Sequence, residues 1–113
     1  MHSDIAGFDM PADADVERAA AALRLIADPT RIKILWALAQ GESNVGCLAD
    51  LAGASPTAVS QHLAKLRLAG LVTTRRDRQF VYYTVADEQT CALLADALGQ
   101  PRPEPAMTAA GRR

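Results

Sequence analysis

The chain has 113 residues, 50% hydrophobic but only 4% aromatic, with a formal net charge of −1 and two cysteines. That size and composition imply one compact, mostly helical domain with a modest core, its apolar burial completed by dimerisation. No apolar run approaches the roughly 18 residues a bilayer crossing needs, the acidic start MHSDIAGFDMPADADVE is not a signal peptide, and two cysteines make no disulfide framework, so a cytoplasmic protein without membrane contact is expected.

Residues 1–12 read as a flexible acidic arm. From about Ala14 to Ala27 the apolar positions Val16, Ala20, Leu23 and Ala27 recur at helical spacing, with Ala19 and Ile26 beside them. Asp28-Pro29 interrupts that helix and starts the next, Asp28 as cap and Pro29 at the first position, where its missing N–H costs nothing. The second helix, PTRIKILWALAQ, is expected to bury Ile32, Leu35, Trp36 and Leu38 and to stop at Gly41. A short helix follows over Val45 to Ala52, capped by Ser43 or Asn44 and closed by Gly53.

The turn GASP then leads into SPTAVSQHLAKLRLAGL, with Ser55 as cap, Val59, Leu63 and Leu66 as buried stripe, and Gly70 as stop. After Gly70 the period changes. LVTTRR and QFVYYTV are β-branched and aromatic and flank a polar turn centred on Arg76-Asp77-Arg78, a β-hairpin. Asp87 caps a last helix to Leu98 whose one face holds Cys91, Leu94, Ala95 and Leu98, and Gly99 closes it. Residues 13–99 therefore form one domain, and 100–113 a Pro-rich disordered tail. The order α-α-α-α-β-β-α, mostly helical with a hairpin wing, is a winged helix-turn-helix.

The overall charge hides a segregation. Residues 1–17 hold five acids and no Lys or Arg, whereas residues 57–83 hold Lys65, Arg67, Arg75, Arg76 and Arg78 against Asp77 alone. A phosphate backbone responds to that local field rather than to the sum. Thr57, Ser60, Gln61 and His62 lie toward the start of the helix after the turn and can exchange hydrogen bonds with base edges. Lys65 and Arg67 suit phosphates, the free N–H groups behind Ser55 add an anion site, and Arg75, Arg76 and Arg78 bring cations to a neighbouring groove. Singly, each is what any solvated helix carries; the joint arrangement points to double-stranded DNA. An enzyme is excluded by the lack of a nucleophile-base-acid set. Ser60 and His62, two apart on a helix, diverge.

LADPTRIKILWALAQGE, VGCLADLAGASPTAVSQHLAKLRLAGLVTTRRDRQFVYYTV and the Asp-capped last helix closely resemble the ArsR/SmtB metal-responsive repressors over roughly residues 16–98. Within that family the sequence looks most like the actinobacterial nickel/cobalt-type sensors. The resemblance implies a homodimer built from the first and last helices, two recognition helices reading a palindromic operator, and release of DNA on metal binding.

The family's ligand positions are mostly altered here. At the last helix Asp87 is kept, but Gln89 stands for a histidine, and Gln100 and Pro103 stand where further ligands fall. An amide is a poor ligand for nickel, cobalt or zinc, and proline has no donor. Cys91, one turn from Asp87, is a substitute candidate, although its place on the apolar stripe reads as a core cysteine. At the family's second site Asn44 and Cys47 occupy the ligand positions, and His2, with the N-terminal amine, is a chelator for nickel or copper. The candidate metal set is thus Asp87, Cys91, Cys47 and His2, no metal is needed for folding, and nickel sensing is expected either directly through an incomplete site or through a separate metal-sensing partner. The alternative is a winged-helix interaction subunit that needs a partner for DNA binding or sensing.

Overall fold

The computed structural model describes residues 7–104, and in it each helix boundary has a local chemical cause. Helix α1, Asp13–Ile26, starts without a side-chain cap but with Asp13 and Asp15 in its first turn and Arg24 in its last, charges that suit the helix dipole. Asp28 begins α2, Pro29–Ala39, by accepting the Arg31 N–H on Oδ2 at 2.9 Å, with Pro29 in the first turn. Asn44, not Ser43, caps α3, Val45–Ala52, accepting from Cys47 N–H at 2.9 Å. Ser55 Oγ accepts from Ala58 N–H at 3.1 Å to start α4, Pro56–Leu68. That helix ends as Gly70 takes φ +78, letting Gly70 N–H reach Arg67 O and Leu71 N–H reach Leu66 O at 2.9 Å.

Strands β1, Val72–Asp77, and β2, Phe80–Val85, pair antiparallel from Val72↔Val85 to Asp77↔Phe80. The turn is therefore Arg78-Gln79, shifted toward the end of the polar run Arg76-Asp77-Arg78 on which it was expected to centre. Arg76 and Asp77 are paired strand residues, because two-residue loops suit the twist of a hairpin. The turn demands a positive φ at its first position, and Arg78 supplies it at φ 62 without being a glycine. Ser43 adds a short third rung, exchanging two backbone hydrogen bonds with Tyr83 at 2.8 and 3.1 Å. Asp87 caps α5, Glu88–Leu98, accepting both the N–H and the hydroxyl of Thr90.

The core lies where α2, α3 and α4 meet the base of the hairpin and the inner face of α5. Ile34, Leu35, Leu48, Val59, Leu63, Leu66, Val72 and Leu94 are fully buried, each contributing about 1.5–3 kcal/mol of apolar burial. Two expectations from the periodicity change. In α2, Ile34 is at the centre while Ile32 and Trp36 are only partly covered; with apolar residues at almost every position of KILWALA, period alone does not choose the face. In the outer helices, α1 buries only Ile26 and leaves Val16 46% and Leu23 50% exposed, and Leu98 of α5 is 41% exposed where it was expected inside. No helix among the described residues is long and apolar enough to cross a membrane.

Candidate nucleic-acid interface

α4 turns Val59, Leu63 and Leu66 into the core, and the same geometry turns Thr57, Ser60, Gln61, Lys65 and Arg67 outward, all exposed. Ser55 is exposed at the helix start, where its hydroxyl satisfies one N–H and leaves the dipole's positive end facing solvent. Proline at the first position keeps that end rigid. The hairpin then rises beside α4, its exposed tip carrying Arg76 and Arg78.

Two of the expected contact residues have partners inside the protein. Arg75 donates from Nε and Nη2 to both carboxylate oxygens of Glu42 at 2.9 and 2.6 Å, and its guanidinium lies 4.8 Å from the centre of the Tyr82 ring. That bidentate hydrogen bond pushes the Glu42 pKa below the ordinary 4.5 and raises that of Arg75. Arg75 thus fastens the wing to the α2–α3 connection, with Asp77 3.9 Å away. His62 is half-buried, its Nδ1 3.0 Å from Nη1 of Arg31.

Arg31 is the residue that sequence reasoning passed over. Its Nε donates to the Leu25 carbonyl at 2.5 Å, so it ties the end of α1 to α4. One signal was present: a cation in the first turn of a helix opposes the dipole, which favours anions there, and so asks for another reason. The Asp28 carboxyl beside it is held below its ordinary value, chiefly by the Arg31 N–H.

The candidate metal ligands do not converge. Asp87 Oδ1 is occupied by the two Thr90 donors, and the Cys91 thiol donates weakly to the Asp87 carbonyl at 3.8 Å. Burial pushes the Cys91 thiol up, which opposes the thiolate a metal needs. Cys91 lines a hollow of about 270 Å³ whose walls include Leu38, Ala39, Thr84 and Val85. Cys47 is exposed on α3, and His2 lies outside the described residues. Among the described residues no three His, Cys, Asp or Glu side chains group as a cation site. One capped carboxylate, a half-buried thiol and the Gln89 amide make a poor donor set for nickel, cobalt or zinc. Arg102 Nη2 pairs with Glu88 at 2.8 Å, bringing the start of the Pro-rich segment against the first turn of α5.

Comparison with known proteins gives concordant findings. Residues 28–74 match the family described as bacterial regulatory protein, arsR family. The HTH-type transcriptional regulator KmtR of Mycobacterium tuberculosis is 47% identical over 75 residues, 66% of this chain and 58% of KmtR, so the chain spans less than two thirds of that relative. The HTH-type transcriptional regulator YgaV of Escherichia coli is 37% identical over 83 residues, 73% of this chain and 84% of YgaV. Among solved structures, the homodimeric winged helix-turn-helix DNA-binding domain Mb0332 of Mycobacterium bovis superposes with a TM-score of 0.71 at 33% identity, covering 84% of this chain and 88% of that one.

Proposed function

The chain belongs to the arsR family of bacterial regulatory proteins, and from that premise we propose that it is a sequence-specific DNA-binding transcriptional regulator that reads a palindromic operator as a homodimer. The observation that carries this reading is the outward face of α4: Thr57, Ser60, Gln61, Lys65 and Arg67 exposed together beside an arginine-tipped hairpin. A helix so decorated fits the major groove, with Thr57, Ser60 and Gln61 at base edges and Lys65, Arg67, Arg76 and Arg78 on phosphates. The exposed Val16 and Leu23 of α1 and Leu93 and Leu98 of α5 supply apolar surface for a second copy. A two-fold dimer presents its two α4 helices to two half-sites, which is why the operator is palindromic.

The donor set at α5 does not support a resident nickel, cobalt or zinc ion. In this reading, metal input reaches the regulator through a separate sensing protein. The test is a gel shift of the purified full chain on duplexes from upstream of its own gene, against unrelated DNA. Retarded operator complexes that resist unrelated competitor are expected. Gln61→Ala should lower that discrimination, while Arg76→Ala should weaken all duplexes alike. No retardation even at low salt would favour an interaction subunit that needs a partner.

A further inference from the structure

The Arg31–His62 contact decides which way the imidazole carries its proton. Arginine has donors only, so at 3.0 Å from Arg31 Nη1 the His62 Nδ1 must be the acceptor. In a neutral ring the hydrogen then sits on Nε2, at the far side of the imidazole from Arg31. Arg31 itself has little freedom. Its Nε is held by the Leu25 carbonyl at 2.5 Å, and its own N–H by Asp28 Oδ2 at 2.9 Å. The half-buried ring is thereby fixed in tautomer and in direction by groups on α1 and α2, on the flank of α4 next to the exposed Lys65.

We propose that Arg31 is a positioning residue for base recognition: by accepting no hydrogen bond and donating to Nδ1, it commits His62 to present an Nε2–H donor to a base-edge acceptor. This rests on the DNA-reading role of α4 proposed above. The matching bases are guanine through N7 or O6, adenine through N7 and thymine through O4; cytosine, whose major-groove edge offers the N4 donor, is rejected. The opposite tautomer would present an acceptor instead, favouring cytosine N4 or adenine N6 and rejecting guanine and thymine. The tie to Leu25 also makes the donor dependent on the position of the end of α1.

Two measurements on the full chain test the proposal separately. First, nitrogen-15 spectroscopy of the free protein, at a pH where His62 is neutral, should show hydrogen on Nε2. Arg31→Met should give a mixture of tautomers, and Arg31→Lys, which keeps a cationic donor but loses the guanidinium fork that also holds the Leu25 carbonyl, should retain the bias in part. Hydrogen on Nδ1 in the unaltered protein overturns the proposal whatever happens with DNA, and that spectrum needs no variant to fold. Second, selection from random-sequence duplexes compares the unaltered protein with His62→Gln and His62→Asn. The Gln amide reaches the Nε2 position and should keep the base preference. The Asn amide reaches only the Nδ1 position and should lose roughly three- to tenfold in discrimination at one base pair, as should Arg31→Met, with other positions unchanged. Equal weakening on every sequence would assign His62 to a phosphate and overturn the recognition role. If the unaltered protein enriches no sequence, DNA reading fails and the recognition role with it, a result distinguished from failure of the Arg31 contact by the spectrum.

Discussion

α4 and α5 are built alike and finished differently. Each begins on an oxygen-bearing cap, Ser55 or Asp87, buries one face, and ends at a glycine with positive φ, Gly70 or Gly99. Their inner faces are interchangeable in kind: Val59, Leu63 and Leu66 in one, Leu94 and Ala95 in the other. Their outer faces are not. Apart from the exposed Leu68 at its last position, α4 shows hydroxyls, an amide and cations, whereas α5 leaves Leu93 and Leu98 uncovered. In the proposed reading, the same scaffold piece meets a polyanion at one place and apolar protein surface at another, and only the solvent-side residues tell them apart.

The inner faces give the largest effect. Leu66→Ala and Leu94→Ala should each cost about 2–5 kcal/mol in denaturant unfolding; a near-neutral Leu94→Ala would remove α5 from the core and break the likeness. Next comes the apolar outer face. Leu23→Asp with Leu98→Asp should yield a monomer by light scattering with unchanged helical circular dichroism, and operator affinity should fall at least tenfold, about 1.4 kcal/mol.

The caps give a smaller, sharper contrast. Ser55→Ala and Asp87→Ala should each cost about 1 kcal/mol of stability, but only Ser55→Ala, which frays the end facing DNA, should also weaken operator binding. Titration with Ni²⁺, Co²⁺ and Zn²⁺ should give no tight complex. Submicromolar binding abolished by Asp87→Ala would show that Asp87 is a ligand rather than a cap.

The smallest effect concerns the wing. Glu42 has its folded pKa depressed by Arg75, so its contribution is present above the unfolded value and lost as pH falls through the folded one. Acidification below about 4.5 should loosen the hairpin, seen as lower protection of the Tyr82 and Tyr83 amides relative to their intrinsic exchange rates, and Arg75→Gln should remove that pH dependence.

What was legible in the sequence is what depends on neighbours in the chain. The caps at Asp28, Ser55 and Asp87, the stripe of α4 and the element order all rest on spacings of three or four residues. The hairpin was legible but its turn was displaced, because Arg76-Asp77-Arg78 is polar throughout while pairing is set by the opposite strand. The α2 face was ambiguous for the reason given by KILWALA. Contacts that join distant residues were not legible: Arg31 to His62 spans 31 positions and Arg75 to Glu42 spans 33. For the outer helices, periodicity reported an apolar face but not which surface covers it.

The Glu42–Arg75 pair has a consequence for how the protein responds to ions. Arg75 is already neutralised by its own chain, so among the candidate DNA-contact cations Lys65, Arg67, Arg76 and Arg78 are those without an ion pair within the described residues. A dimer then offers eight such cations, so the logarithm of operator affinity should fall by at most about 7 per tenfold rise in monovalent salt, rather than the roughly 9 that ten cations would give. In the proposed docking mode, the wing's anchor thereby lowers the number of condensed counterions the helix and hairpin can release from DNA.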